Sequence, residues 1–139
     1  MIGKLDQYLR FHESALSIRA QRQQLLASNM ANADTPNYKA RDVDFNSALQ
    51  GALSRGTQPQ SPLATTSPKH LPGTPDADTG PGGAPLMYRG VVQGAVDGNT
   101  VDMDVERNQF ADNAIRYEAG ITMTNMLIKD MLASLQGGQ

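Results

Sequence analysis

The chain contains no cysteine and no tryptophan, and its 139 residues include only three Phe and four Tyr. Without cysteine it can form no disulfide, no thiolate metal site and no catalytic thiolate. A hydrophobic fraction of 39% with so few rings is low for a compact enzyme core. The net charge of −2 gives no general attraction to nucleic acid or anionic lipid. We therefore expect no nucleic-acid partner.

Long hydrophobic runs are also missing. No stretch of about 18 apolar residues is present, so no transmembrane helix is expected. The first residues, Met1 to Gln7, lack the apolar segment and the small-residue cleavage site of a signal peptide. If the protein leaves the cytoplasm, we expect it to use a route that removes no such peptide.

The N-terminal part is predicted to be a helix from about residue 4 to residue 33, since it is rich in good helix formers. A stripe of side chains follows alternating steps of four and three residues. Its members are Leu5, Leu9, His12, Leu16, Arg19, Gln23, Leu26 and Met30. The helix should stop before Pro36, because proline disfavours the helical conformation in the residue before it.

The C-terminal part is predicted to be a longer helix, from about residue 102 to residue 136. Its apolar seam repeats in heptads over more than three repeats. The seam consists of Phe110, Ala114, Tyr117, Ile121, Thr124, Ile128, Met131 and Leu135, and it is widened by Ile115, Leu127 and Leu132. Asp102 and Asp104 stand where a helix start favours acidic caps. Gly137 and Gly138 should end the helix.

Residues 54–98, between the two helices, have the composition of a linker. They hold seven of the eight prolines, and apolar residues are nearly absent from Gly56 to Pro85. Such a stretch cannot bury enough surface to offset its ordering entropy, so we expect it to be mobile or disordered. A short extended piece could follow from Leu86 to Val92, and Asp97-Gly98-Asn99 is a turn signal.

These segments predict an all-α fold. The long terminal helices should pack as an antiparallel coiled-coil-like hairpin, joined by a Pro/Gly-rich mobile linker that leaves room for a short β piece. The expected divisions are 1–36, 37–53, 54–98 and 99–139. One helix pair cannot bury both stripes or offset their ordering entropy. We therefore expect a weakly folded monomer completed by other copies or partners, the alternative being a self-sufficient hairpin or a simple dimer.

No residue pattern indicates catalysis or a cofactor. His12 and His70 are isolated, and no metal is expected. Residues 97–104 superficially suggest a calcium loop, but the glycine is misplaced and position 108 is Asn. No nucleophile elbow, phosphate-binding loop or dinucleotide fingerprint is present. The carboxylates of the last helix are expected to form a solvated face with its cations: Glu106, Asp112, Glu118 and Asp130 with Arg107, Arg116 and Lys129.

The most distinctive run lies at the predicted exit of the first helix, from Ser28 to Arg41. Asn29 and Asn32 are expected to hydrogen-bond the free carbonyls of the last helical turn. Asn37 can tolerate a positive φ in the turn that follows. The ring of Tyr38 can fold back on the helix.

This run resembles the signature of the flagellar rod, hook and hook-associated axial proteins. The match covers Asn29, Ala31, Asn32, Thr35, Pro36 and Tyr38, and Asn37 stands where that family usually has Gly. Further runs are similar to the rod proteins of the basal body, and in particular to the proximal rod: 5–11, 20–23, 39–45, 98–104 and 113–119. The short chain also fits, because larger axial proteins insert β domains between their helices.

The resemblance implies a structural, non-enzymatic subunit of the proximal rod that binds no cofactor. It implies export in an unfolded state by the flagellar type III apparatus and assembly in the periplasm-spanning rod. Other rod proteins, the membrane-ring adaptor and the export gate would be neighbours; a helical adaptor or scaffold is the alternative. The residues expected to pack helices in the assembly are Leu5, Leu9, Leu16, Leu26, Met30, Phe110, Ala114, Tyr117, Ile121, Leu127, Ile128, Met131 and Leu135.

Overall fold

The computed structural model describes residues 2–55, 84–90 and 95–137, except for the side chains of residues 2–5 and 55. Its elements are α1 (Ile2–Ala31), β1 (Arg41–Asp42), α2 (Phe45–Arg55), β2 (Met87–Tyr88) and α3 (Met103–Gln136). The two long terminal helices confirm the all-α prediction. Most of the predicted mobile linker lies outside the described residues, so its mobility stays a prediction. Its described parts are 54–55, 84–90 and 95–98, and the second of them contains β2 inside the expected extended piece.

The helices α1 and α3 pack side by side in antiparallel directions. Asn29, near the end of α1, contacts Glu106 in the first turns of α3. Further along, the Arg19 carbonyl accepts from Asn113, and Leu16 lies opposite Gly120. A Cβ atom on Gly120 would lie 3.0 Å from Leu16 Cδ2, so the glycine allows this close approach. The hairpin prediction is confirmed.

The start of α3 is capped as its sequence predicts. Asp102 Oδ1 accepts hydrogen bonds from the Asp104 N–H at 3.0 Å and the Val105 N–H at 3.2 Å. These bonds satisfy two of the backbone donors that every helix start leaves free. At the other end the Gly137 N–H donates to the Ala133 carbonyl, and the helix stops.

The helix α2 begins in the segment 37–53, for which no element was predicted, and its last two residues extend into the predicted linker, which therefore starts too early. It begins after Asp44, whose Oδ1 accepts from the Asn46 N–H at 3.0 Å and whose Oδ2 accepts from the Ser47 hydroxyl at 2.6 Å. The Ser47 hydrogen bond lowers the pKa of Asp44. An Asp cap before apolar residues at helical spacing was the available signal, but the Gly51 inside the segment weakens it.

The small apolar core lies on the side of α1 that faces α2 and the sheet, whereas α3 packs along another side of α1. The chain order brings β1 and β2 together as an antiparallel pair, with Arg41 opposite Tyr88 and Asp42 opposite Met87. Gln21 holds this segment to α1, because its side chain exchanges two hydrogen bonds with the Ala84 backbone. The buried core residues are Ile18, Val43, Ala48 and Ala84, with Leu25, Phe45, Leu49, Ala52 and Leu86 packed against them.

In the described ranges, neither α1 nor α3 has the length of apolar sequence needed to span a bilayer.

Candidate functional site

The exit of α1 is built by the motif residues and confirms part of the cap prediction. Asn32 Nδ2 donates at 2.8 Å to the Ser28 carbonyl in the last turn, which also accepts the Asn32 backbone N–H at 3.1 Å. The Thr35 hydroxyl donates to Asn32 Oδ1 at 3.1 Å and fixes the amide. Tyr38 folds back onto the helix, as predicted, and its hydroxyl donates to Asn29 Oδ1 at 3.3 Å.

Asn29 does not cap the last turn of α1, so that prediction is wrong. Its side chain is fully buried. Nδ2 donates to the Arg41 carbonyl at 2.8 Å and to Glu106 Oε2 at 3.2 Å, and Oδ1 accepts from the Arg41 N–H at 3.1 Å. With the Tyr38 hydroxyl as second donor to Oδ1, all four positions of the amide are used. The residue faces β1 and α3, where it joins three segments rather than ending one helix.

Asn99, which precedes α3, caps the turn that follows α1. Its buried Nδ2 lies 3.0, 2.7 and 2.9 Å from the carbonyl oxygens of Asn32, Ala33 and Thr35. Asn99 Oδ1 accepts from the Val101 N–H at 2.8 Å, which turns the chain toward α3. Sequence reasoning missed this cap, because residues more than sixty positions apart provide its two halves.

A paired turn at Asn37 and Gly98 positions the Asn99 cap. Both residues have a positive φ, of 59° and 76°, and the Asn37 N–H donates to the Asp97 carbonyl at 3.0 Å. A Cβ at position 98 would lie 2.6 Å from Asn37 Oδ1. The positive φ predicted as tolerable at Asn37 is therefore adopted, and glycine is required at 98 for its backbone conformation and for space.

We expect Gly98→Ala to lower the free energy of unfolding by about 1–3 kcal/mol, because it combines a strained φ with a steric contact. Gly90→Ala is the matched control, since a Cβ there meets nothing within 4 Å. Thermal unfolding followed by circular dichroism would compare the two variants. Equal effects would show that the turn is not a fixed part of the fold.

Four charged residues meet beside Asn29, and with Asn29 and Gln109 they form what we call the polar junction. Arg22 grips Asp42 with two hydrogen bonds, of 2.8 and 3.0 Å. Arg89 donates to Asp42 Oδ2 at 2.8 Å and also pairs with Glu106. Gln109 Oε1 accepts from Arg22 at 2.7 Å and from Arg89 at 3.2 Å. Two cations and two carboxylates balance, so the polar junction is neutral.

Glu106 corrects the prediction of a solvated acidic face on α3. Its side chain is 0% exposed and is held by Arg89 and Asn29. In the sequence Glu106 lies in a run of polar residues. Its burial becomes apparent only in the structure, where Arg89, which follows β2, pairs with it. By contrast, Asp112 pairs with Arg116 at 2.8 Å on the exposed surface, which fits the prediction.

The protonation of Asp42 couples the polar junction to pH. Burial acts to raise the pKa of Asp42, but hydrogen bonds from Arg22, Arg89 and the Val43 N–H outweigh it and hold the pKa below the ordinary value of 3.8. The hydrogen bond to Asp42 also raises the pKa of Arg22. A carboxylate with a lowered folded-state pKa adds stability above its unfolded pKa, and this stability is lost as the pH falls through the folded value.

We therefore expect the free energy of unfolding to fall on acidification below about pH 4, and Asp42→Asn to reduce that dependence. The variant also loses charge-assisted hydrogen bonds, so it should be less stable at neutral pH. Unfolding measured from neutral pH to about pH 3 would test both effects. Asp112→Asn, in the exposed pair, should retain the acid slope of the unchanged chain, and an Asp42→Asn slope identical to it would contradict the assignment.

The polar junction offers no reactive centre. Each of its charged groups is paired within the chain, and no cluster of three or more potential metal ligands occurs among the residues that the structure describes. Its hydrogen bonds hold α1, the sheet and α3 at fixed positions relative to one another.

The predicted packing residues divide into three groups by exposure. Leu26 is buried, and the half-buried group comprises Leu9, Leu16, Met30, Phe110, Ala114, Tyr117, Leu127 and Met131. Ile121, Ile128 and Leu135 are exposed, the last at 77%, and the side chain of Leu5 lies outside the description. In the family motif, Ala31, Thr35 and Pro36 are exposed. Pairing with α1 therefore leaves much of the α3 seam uncovered.

A second exposed face of α3 carries apolar residues, of which sequence analysis assigned only Ile115 to the seam. Ile115 is 70% exposed, and Met123 and Met126 are 60% exposed each. A groove of about 490 Å³ also runs between the helices. Its lining comprises Ala20, Gln23, Gln24, Ala114, Tyr117, Glu118 and Ile121. Fold and surface together define a small helical hairpin with apolar faces that the described residues leave uncovered.

Comparison with known proteins agrees with this class. The family model described as flagella basal body rod protein matches residues 9–39, which include most of α1 and its exit motif. The chain is 48% identical to the flagellar basal body rod protein FlgB of Salmonella typhimurium over 140 residues, covering 99% of each chain. It is 49% identical to FlgB of Escherichia coli and 40% identical to FlgB of Cereibacter sphaeroides, again over 99% of each chain.

The chain belongs to the FlgB family of flagellar basal body rod proteins.

Proposed function

We propose that the chain is a structural subunit of the proximal rod of the bacterial flagellar basal body, and that it is not an enzyme. The observation that carries this proposal is the identity of 48–49% to FlgB proteins over nearly the whole chain. The uncovered apolar faces of α3 support it, because a subunit that assembles through helix packing must present such faces to its neighbours.

Assembly explains why a single copy leaves this surface exposed. Leu135, Ile115, Met123 and Met126 are each at least 60% exposed along α3. A monomeric soluble protein rarely leaves this much apolar side-chain surface in water on two faces of one helix. Neighbouring subunits that cover it would gain the burial energy that the isolated hairpin lacks. Contacts that repeat head to tail without closing build a helical tube, which is the symmetry of a rod.

The proposal also covers how the chain is exported and which proteins it contacts in the rod. The chain would leave the cytoplasm unfolded through the flagellar type III apparatus, without a cleaved signal peptide. It would then fold against other rod proteins, the membrane-ring adaptor and the export-gate proteins at the base of the rod. The absence of cysteine fits such a journey between compartments, because no thiol can be oxidised on the way.

Purified basal bodies test the proposal. Deleting the gene should abolish motility and leave basal bodies without a complete rod, and the full-length chain supplied in trans should restore both. The restored chain should co-purify with the rod after the membranes are dissolved. Complete rods in the deletion strain would contradict the proposal, and so would a restored chain found only in the cytoplasm.

A further inference from the structure

The apolar seam between α1 and α3 specifies their alignment weakly. The stripe on α1 and the seam on α3 both repeat with a four-three spacing, so a slide of seven residues again brings stripe positions opposite seam positions. The stripe is apolar at these positions except at His12, Arg19 and Gln23. Such a slide moves α3 by about 10.5 Å along α1. The helices need another feature to choose one alignment, because the repeating seam offers several of similar energy.

The polar contacts of α3 are concentrated at one end of the hairpin, between residues 99 and 113. Asn99, just before α3, binds the turn that follows α1, and Asn113 donates to the Arg19 carbonyl at 2.9 Å. Glu106 and Gln109, one helical turn apart, both enter the polar junction. Beyond Gly120 the seam positions are apolar except Thr124, and that threonine donates to Gly120 of its own helix.

The partners of these residues are fixed to α1 independently of α3. Arg22 belongs to α1 and holds Asp42 through two hydrogen bonds, while Asn29 binds both backbone groups of Arg41. Arg89 is tied to the same frame, because it binds Asp42 and its N–H donates to the Ala40 carbonyl at 2.9 Å. A slide of α3 would therefore leave the frame in place and strip the buried Glu106 of its partners.

We infer that Asn99, Glu106 and Gln109 are positioning residues that set the register of α3 on α1, and that the long apolar seam follows the alignment they impose. A buried charge deprived of its partner is strongly unfavourable, whereas an apolar seam shifted by one heptad keeps most of its burial. Polar end contacts thus select one alignment, and every copy presents its exposed apolar faces in the same relative position. This inference concerns the single chain and does not depend on the proposed function.

Inserting one heptad into α3 tests which end of the hairpin sets the register. With the insertion, the polar contacts at one end and the apolar seam beyond Gly120 can no longer both keep their original partners on α1. Residues 114–120 are duplicated after Gly120, so that the helix gains two turns and keeps its faces. The copy carries a second glycine, and Leu16 therefore finds a glycine opposite it in either alignment. Cysteine pairs report the alignment cleanly, because the chain has no cysteine of its own. One pair is Leu16→Cys with Gly120→Cys, in the first copy, and the other is Leu9→Cys with Leu127→Cys, seven residues further along each helix.

Both disulfides should form in the full chain without the insertion, in the presence of an osmolyte that favours folding. With the insertion, we expect the 16–120 disulfide to persist and the 9–127 disulfide to be lost. Adding Asn99→Ala, Glu106→Leu and Gln109→Leu to the insertion should reverse this preference. Asp112→Leu with Arg116→Leu, an exposed pair on the same helix, should leave it unchanged.

Three results would overturn the inference. Persistence of the 9–127 disulfide alone would show that the apolar seam sets the register. Persistence of both would mean that the insertion loops out and the seam holds its own alignment. Loss of both would mean that the polar end cannot hold the helices together.

Discussion

Replacing Arg89 by Met is expected to destabilise the folded chain by about 3–5 kcal/mol, which is the usual cost of leaving a buried charge without its partner. The stranded charge is Glu106, which is 0% exposed and would keep only Asn29 as a hydrogen-bond donor. Asp42 suffers less, because Arg22 still binds both of its oxygens. Circular dichroism during a titration with trimethylamine N-oxide, an osmolyte that favours folding, would measure the shift.

Two further variants give this prediction its control. Arg116→Met breaks an exposed pair with Asp112 and should cost no more than about 1 kcal/mol. Arg89→Met combined with Glu106→Met removes both partners of the buried pair, so it should be more stable than Arg89→Met alone. If the single variants at 89 and 116 were equally stable, Glu106 would not depend on Arg89, and the polar junction would not hold α3 as described.

Leu132→Asp is expected to abolish rod assembly and motility while leaving the isolated chain almost unchanged. Leu132 is 51% exposed on α3 in a single copy, so the substitution disturbs little within the chain. In an assembly that covers this face, the same carboxylate would be buried without a partner, at a cost of several kcal/mol. Complementation of a deletion strain would report motility, and circular dichroism would report the helix content of the purified variant.

Ser134→Asp provides the matched control for that prediction. It adds the same charge two residues away, at an exposed polar position on another side of α3. Motility should survive this change. Normal motility with Leu132→Asp would show that the face carrying Leu132 stays open to water in the rod, and this outcome would remove it from the assembly surface.

The sequence predicted the two long helices well because their signals are local. Heptad spacing, Asp102 as a cap and Gly137 as a stop all act within a few residues of the structure they specify. The motif loop was predicted for the same reason, since the positive φ of Asn37 and the capping bond of Asn32 are decided within one turn.

The polar junction could not be predicted, because its bonds join residues that are far apart in the chain. Glu106 has the local pattern of a solvated helix residue, and it is buried only because Arg89 and Asn29 converge on it. Asn29 was assigned to its own helix end for the same reason. The helix α2, by contrast, could have been predicted from local sequence, since Asp44 carried a usable cap signal.

The central claim is that neighbouring subunits must cover apolar faces that one chain cannot cover alone. Amide hydrogen exchange on the dilute full-length chain, compared with the chain inside purified basal bodies, tests it most directly. We expect residues 121–136 to exchange far faster than residues 103–113 in the dilute chain and to become protected in the rod. A dilute monomer that protects both ranges equally and melts in one cooperative transition would contradict the account.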